Sequence, residues 1–236
     1  MFALGLDSSV VGVTDFCDEP PQVRGRARVG GMISPSFETI VSLKPDLILM
    51  TIAGNSRADH DRLVSLGFQV VVTNPSSLEG IYESIALIGS LTGSRTRADS
   101  LISQLRSKQR ELVSRARMRP ARSVLLLVSL RPIIAAGSGT FLHELIGLAN
   151  GRNVAAHAPS AYPMLGREYI LERDPDVIVV MNDVASSPRD VVEAYPEWKN
   201  LSAVHRNSVH ILDASVVSRP GPRIMNGLEL LVSSLN

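Results

Sequence analysis

Short runs of aliphatic and β-branched residues, each bounded by turn residues, alternate along this chain with longer segments whose apolar positions recur every three or four residues. The runs predict strands at Val10–Thr14, Leu47–Thr51, Val70–Thr73, Val124–Leu130, Val177–Met181 and Val209–Leu212. Most are continuously apolar, the pattern of strands buried on both faces of a mostly parallel sheet. Alternation with helices places the chain in the α/β class. The longest proline-free stretch, Ser77 to Arg119, carries Ile81, Ile85, Ile88, Leu91, Leu101, Leu105 and Leu112 at helical spacing. Gly93 and Ser94 interrupt it. The expectation is one helix ending near Leu91 and a long second one from about Ser94 to Met118, with Pro120 leading into the next strand.

One unit occurs twice. Glu38-Thr39-Ile40-Val41-Ser42-Leu43-Lys44-Pro45-Asp46 runs into the apolar segment beginning at Leu47, and Glu168-Tyr169-Ile170-Leu171-Glu172-Arg173-Asp174-Pro175-Asp176 runs into the one beginning at Val177. Glu, Ile, Pro and Asp keep their offsets in both. A helix stopped by proline before a strand is a common α/β connection and accounts for either copy alone. The pair, placed on either side of a long helix, predicts two similar lobes. The expected division is residues 1–93, a connecting helix over 94–119, and residues 120–236.

Composition removes several function classes. With 236 residues, 24 Lys and Arg balance 23 Asp and Glu, so no global field gathers nucleic acid or a membrane surface. Arg115, Arg117, Arg119 and Arg122 form a local cluster, read as a solvated helix end rather than a phosphate track. The single cysteine, Cys17, lies among acidic residues and builds neither a disulfide framework nor a thiolate metal site. No run approaches the ~20 apolar residues of a membrane helix, and the first residues do not resemble an export signal.

Ordered landmarks along the chain resemble the cobalamin and ferric-siderophore binding family of ABC importers. They are Phe2-Ala3-Leu4-Gly5-Leu6, Val10-Val11-Gly12-Val13-Thr14-Asp15-Phe16-Cys17-Asp18, Val29-Gly30-Gly31, Leu43-Lys44-Pro45-Asp46 and Arg219-Pro220-Gly221-Pro222-Arg223. The resemblance implies two Rossmann-like lobes joined by a rigid helix, with the ligand in the cleft between them. Family members begin with an export signal and a first strand, so a preceding segment is expected, as is an extracytoplasmic location.

The resemblance also implies residue roles. Glu38 and Glu168 match glutamates that dock into arginine pockets of a permease dimer. A helix-start glutamate favoured by the macrodipole is the plainer alternative for each. Phe16 and Tyr162 fall where cobalamin binders flank the corrin with aromatic rings, although lobe packing explains Phe16 equally well. Met32 and Thr51 occupy positions where some relatives carry tryptophan. Arg131 and Arg219 are candidate ligand contacts through their guanidinium forks, whereas Arg223 and the lone Trp198 are assigned structural roles. The glycines of Ala136-Gly137-Ser138-Gly139-Thr140 lack a P-loop lysine and read as a tight strand-to-helix turn. The five histidines are scattered without ligand spacing, and only His143 and His157 are candidates for an axial contact.

The function expected is that of a monomeric, non-enzymatic importer component carrying a corrinoid. No resident cofactor or metal is expected, since a metal chelate would be cargo. A ferric-siderophore or haem binder is the alternative within the class. Outside the class, an intracellular α/β enzyme or ligand sensor on the same fold is the remaining reading.

Overall fold

The two Glu-to-Pro-Asp segments take the same shape. In the computed structural model, which describes residues 1–52 and 54–235, each forms a seven-residue helix that stops at a residue in the left-handed conformation, Lys44 (φ 48°) or Asp174 (φ 37°). Proline follows immediately and forbids further helix. The chain then enters a strand within three residues.

By internal contacts the chain forms two units, one of Met1–Pro75 with Glu79–Ile102, the other of Ser76–Leu78 with the chain from Ser103 onward. The first contains β1 (Gly12–Val13), β2 (Ala27–Arg28), α1 (Phe37–Leu43), β3 (Ile48–Thr51), α2 (Arg57–Ser65) and β4 (Val70–Thr73). Most of α3 (Leu78–Leu91) and the first turns of α4 (Arg95–Ala116) complete it. Its strands make two parallel pairs, β1 with β2 and β3 with β4, in register from Ile48 opposite Val70 to Thr51 opposite Thr73. Ile40, Met50 and Leu63 form a small core with Phe37, Ile48, Phe68 and Val70 against it.

The second unit follows with β5 (Arg122–Ser129), β6 (Ile134–Ala135), α5 (Phe141–Leu148), β7 (Gly151–Asn153), α6 (Arg167–Arg173) and β8 (Val177–Met181). It ends with α7 (Pro188–Ala194), α8 (Ser202–His205), β9 (Val209–Leu212), α9 (Ala214–Val217) and α10 (Ile224–Ser234). β8 lies between β5 and β9, parallel to both; β7 runs parallel beside the start of β5, and β6 antiparallel beside its end. Leu125, Leu127, Ile178 and Val180 face a core containing Ile170, Tyr195 and Trp198. Trp198 is fully buried with its ring centroid 4.5 Å from that of Tyr195, whose hydroxyl donates to the Leu130 carbonyl.

Several expectations need correction. Burial on both faces holds in the second unit, where every residue of β8 is buried, but not in the first, where β3 and β4 are only partly covered and Val72 is exposed. The strand expected over Val10–Thr14 shrinks to two residues, and β2, β6 and β7 lack any run long enough to announce them. Arg122 is no solvated helix end. It lies in β5 and donates to the Asp176 carbonyl at 3.1 Å and to Ser208 Oγ at 3.1 Å.

The second Pro-Asp turn is tied into a polar network. Asp176 accepts from Ser123 N at 2.9 Å, Ser123 Oγ at 2.8 Å and Arg206 Nη1 at 2.7 Å. Asp174 accepts from Ser202 N at 2.7 Å and Ser202 Oγ at 2.6 Å. These bonds, led by the Ser123 backbone donor for Asp176 and the Ser202 hydroxyl for Asp174, hold both carboxyls below the usual range. The stabilisation is complete above the unfolded carboxyl pKa of roughly 4 and is lost as pH falls through the lower folded value. Asp176→Asn should therefore lower the urea midpoint clearly at pH 7 and by progressively less as the pH falls below about 4; a loss that does not shrink with falling pH would refute the linkage. Leu126→Ala, in the middle of β5, should cost about 2–5 kcal/mol by urea denaturation.

Candidate functional site

Three of the expected ligand residues come together at the carboxyl ends of the first unit's strands. Phe16 sits on the loop after β1, exposed over 65% of its surface. That loop is tied down by Arg28, whose Nη1 donates to the Thr14 carbonyl at 2.8 Å and the Cys17 carbonyl at 2.6 Å. Asp15 N adds a bond to the Gly30 carbonyl at 3.0 Å. Gly30 itself has φ +83°, and a Cβ there would stand 2.7 Å from the Ser34 carbonyl oxygen, so the Val29-Gly30-Gly31 motif tolerates no side chain at its centre. A side chain as open as that of Phe16 contributes little to the core of its own unit.

Asn55 joins Met32 to Thr51. Its Oδ1 accepts from Thr51 N at 2.9 Å and its Nδ2 donates to the Met32 carbonyl at 3.0 Å. The Met32 thioether lies over Gly54, and Ile33 and Ile52 are exposed nearby in the chain. The result is an open apolar surface with a polar strap beneath it. Sequence reading missed both Arg28 and Asn55. Apart from the local Asn55–Thr51 bond, their partners lie 11 to 23 residues away, a separation at which no periodicity reports contact.

In the second unit, Tyr162 belongs to a ribbon. Ala135 N and Gly137 N donate to the carbonyls of Pro163 and Ala161 at 3.1 and 2.8 Å, and Ile134 bridges Met164. A Cβ on Gly137 would lie 2.5 Å from the Ser160 carbonyl oxygen, so the glycine permits this close approach. Gly139 and Thr140 then turn the chain into α5, with Thr140 Oγ1 accepting from His143 N at 3.1 Å. Tyr162 and Met164 are left 49% and 70% exposed. Partial burial pushes the Tyr162 phenol pKa up, keeping it a neutral hydrogen-bonding group at physiological pH.

Arg131 is exposed at the end of β5, just before the ribbon, and Arg219 is exposed between α9 and α10. Arg223 donates to the Ser215 carbonyl at 3.1 Å, the structural role expected of it. His143 Nδ1 lies 3.1 Å from Asn153 Nδ2, while His157 is exposed. Among the described residues no three of His, Cys, Asp and Glu converge as a metal site.

Glu38 and Glu168 are each the second residue of their helix, and both are exposed. The residue before each is anchored by a cation over a ring. The Arg62 guanidinium lies 4.0 Å from the Phe37 centroid, and that of Arg167 4.9 Å from the Tyr195 centroid. Aromatic and arginine exchange places between the copies, yet both leave the neighbouring carboxylate facing water.

Comparison with known proteins finds relatives similar over nearly the whole chain. An uncharacterized ABC transporter substrate-binding lipoprotein of Bacillus subtilis is 32% identical over 242 residues, covering 99% of this chain and 75% of the relative. The vitamin B12-binding protein of Vibrio cholerae is 28% identical over 236 residues, covering 99% of this chain and 84% of its own. The crystal structure of the periplasmic vitamin B12-binding protein of Vibrio cholerae superposes with a TM-score of 0.86 at 26% identity, covering 99% of this chain and 91% of that one. A periplasmic haem-binding protein of a Roseiflexus species shares the fold at a TM-score of 0.89 and 24% identity, covering 99% of this chain and 92% of its own. Residues 1–216 match the family model described as periplasmic binding protein, and with that match the chain belongs to the periplasmic binding protein family, whose members serve ABC importers as substrate-binding components.

Proposed function

We propose that this chain binds a corrinoid and delivers it to an ABC permease. The observation that carries the ligand assignment is the open apolar surface that Phe16 and Met32 build over the Asn55 strap within the first unit. Exposed aromatic and thioether side chains offer broad contact to a large, flat, partly apolar ligand at small entropic cost. The B12-binding relatives, similar over nearly the full chain, support the same class. Exposed Arg131 and Arg219 favour a second reading, an anionic ferric siderophore or haem, whose carboxylates or hydroxamates suit guanidinium forks.

Calorimetric titration with cyanocobalamin separates the two. Saturable heat at micromolar ligand is expected; its absence, with a visible-band shift on adding haem or a ferric hydroxamate, would transfer the assignment to the second reading. Arg28→Ala frees the Phe16 loop without touching its aromatic ring. Loss of this preorganisation should weaken cobalamin about tenfold while the far-UV spectrum stays unchanged.

Delivery is assigned to Glu38 and Glu168. Their equivalent places on two copies of one unit suit a two-fold symmetric partner, and their carboxylates suit arginine pockets. Glu38→Arg with Glu168→Arg should leave cobalamin affinity intact and cut cellular uptake of labelled cobalamin by at least about tenfold, since each reversal turns attraction into repulsion. Unchanged uptake would return both residues to ordinary helix-start roles.

A further inference from the structure

Helix α4 separates its cations by side. Lys108 Nζ lies 3.0 Å from Glu111 Oε1 and 3.5 Å from Glu229 Oε1, and Arg115 Nη1 lies 3.3 Å from Glu229 Oε1. Those two charges are neutralised where they stand. Arg106, Arg110 and Arg117 line a groove of about 520 Å³ with Ser114, Val113 and the Leu148 end of α5. A spacing of four residues puts Arg106 and Arg110 on one stripe of α4, and Arg117, in the turn just past its end, continues that stripe through its N–H bond to the Val113 carbonyl at 3.1 Å. All of the lining belongs to the second unit. Arg110 and Arg117 are exposed, and among the described residues neither makes an ion pair with a carboxylate.

We propose that this groove is a binding site for an anion bearing two or more phosphate groups. Guanidinium forks match phosphate oxygens bidentately. Arg110 and Arg117 stand seven residues apart, about 10 Å along the helix, which suits separated phosphates better than one carboxylate. Among the described residues that line the groove none is acidic, so an anion entering it meets no carboxylate that would repel it. Val113 and Leu148 give it an apolar floor, and Ser114 adds a hydroxyl donor. The volume falls within the ~300–1,000 Å³ usual for small-molecule sites. The chemistry fits a free polyphosphate or the headgroups of an anionic phospholipid.

Two arms distinguish these sources. The full chain is titrated calorimetrically with tripolyphosphate, and separately floated with vesicles of phosphatidylcholine alone or mixed with phosphatidylglycerol. Binding in the first arm identifies a soluble ligand; binding only to phosphatidylglycerol vesicles identifies a lipid surface. In either arm Arg110→Gln with Arg117→Gln should weaken binding at least about tenfold, the loss of two charge-assisted contacts. Lys108→Gln with Arg115→Gln removes the same formal charge from the neutralised side and should change binding by no more than about twofold. Absence of binding in both arms overturns the proposal, and so does an equal loss in the two double variants, which would mean general charge attraction.

Discussion

The arrangement of this protein depends on a residue forced into the left-handed conformation immediately before a proline. For a residue with a Cβ that conformation costs roughly 1–2 kcal/mol, and the proline after it removes the option of continuing the helix. Lys44 and Asp174 both accept it. The stop fixes where each strand begins and where its carboxyl-end loop emerges. It also fixes the helix start seven residues upstream, and with it the outward glutamate. The candidate ligand residues and the candidate docking residues are thus set by opposite ends of one short segment.

The two copies meet that cost differently. Asp174 gains two hydrogen bonds from Ser202, and Asp176 is joined to Ser123 and Arg206, so the second turn is fastened to neighbouring strands and helices. In the first copy Lys44 and Asp46 are exposed, and the helix is instead fastened at its start, where Ser36 Oγ accepts from Thr39 N at 3.3 Å. The difference follows the cores. β8 is buried along its whole length and needs a turn held in register. β3 and β4 are partly open, so less is lost if the first turn gives. The first unit is therefore the softer of the two on local-stability grounds.

Much of this was legible in the sequence because it depends on local pattern. The strands Val177–Met181 and Val209–Leu212 were read to the residue, and the break at Gly93-Ser94 separates α3 from α4 as the spacing implied. The repeated unit was visible because proline and a left-handed residue act within three positions. The strands of two or three residues were invisible, since β2, β6 and β7 owe their existence to a neighbouring strand rather than to their own composition. Of the candidate site, the side chains that offer surface were legible as types, while the polar groups that position them were not. Arg28 and Asn55 bond to carbonyls and amides, which any sequence supplies, so nothing in their residue type betrayed the partner.

A formal net charge of +1 conceals strong local segregation. Lys108 and Arg115 on one side of α4 are matched by Glu111 and Glu229, whereas on the other side no acid is among the described residues that line the groove. Screening decides what such a cluster does: at physiological salt the Debye length is about 8 Å, shorter than the span from Arg110 to Arg117. Each arginine then acts on what touches it and adds little to a long-range field, so the groove discriminates by contact geometry instead of by attraction at a distance. The same reasoning applies to Glu38 and Glu168, which are exposed and screened. Carboxylates of this kind contribute little to folding, and their energy becomes large only when a partner removes the water around them. Exposed charge repeated at the same place in two copies of one unit is for that reason not explained by the stability of its own fold.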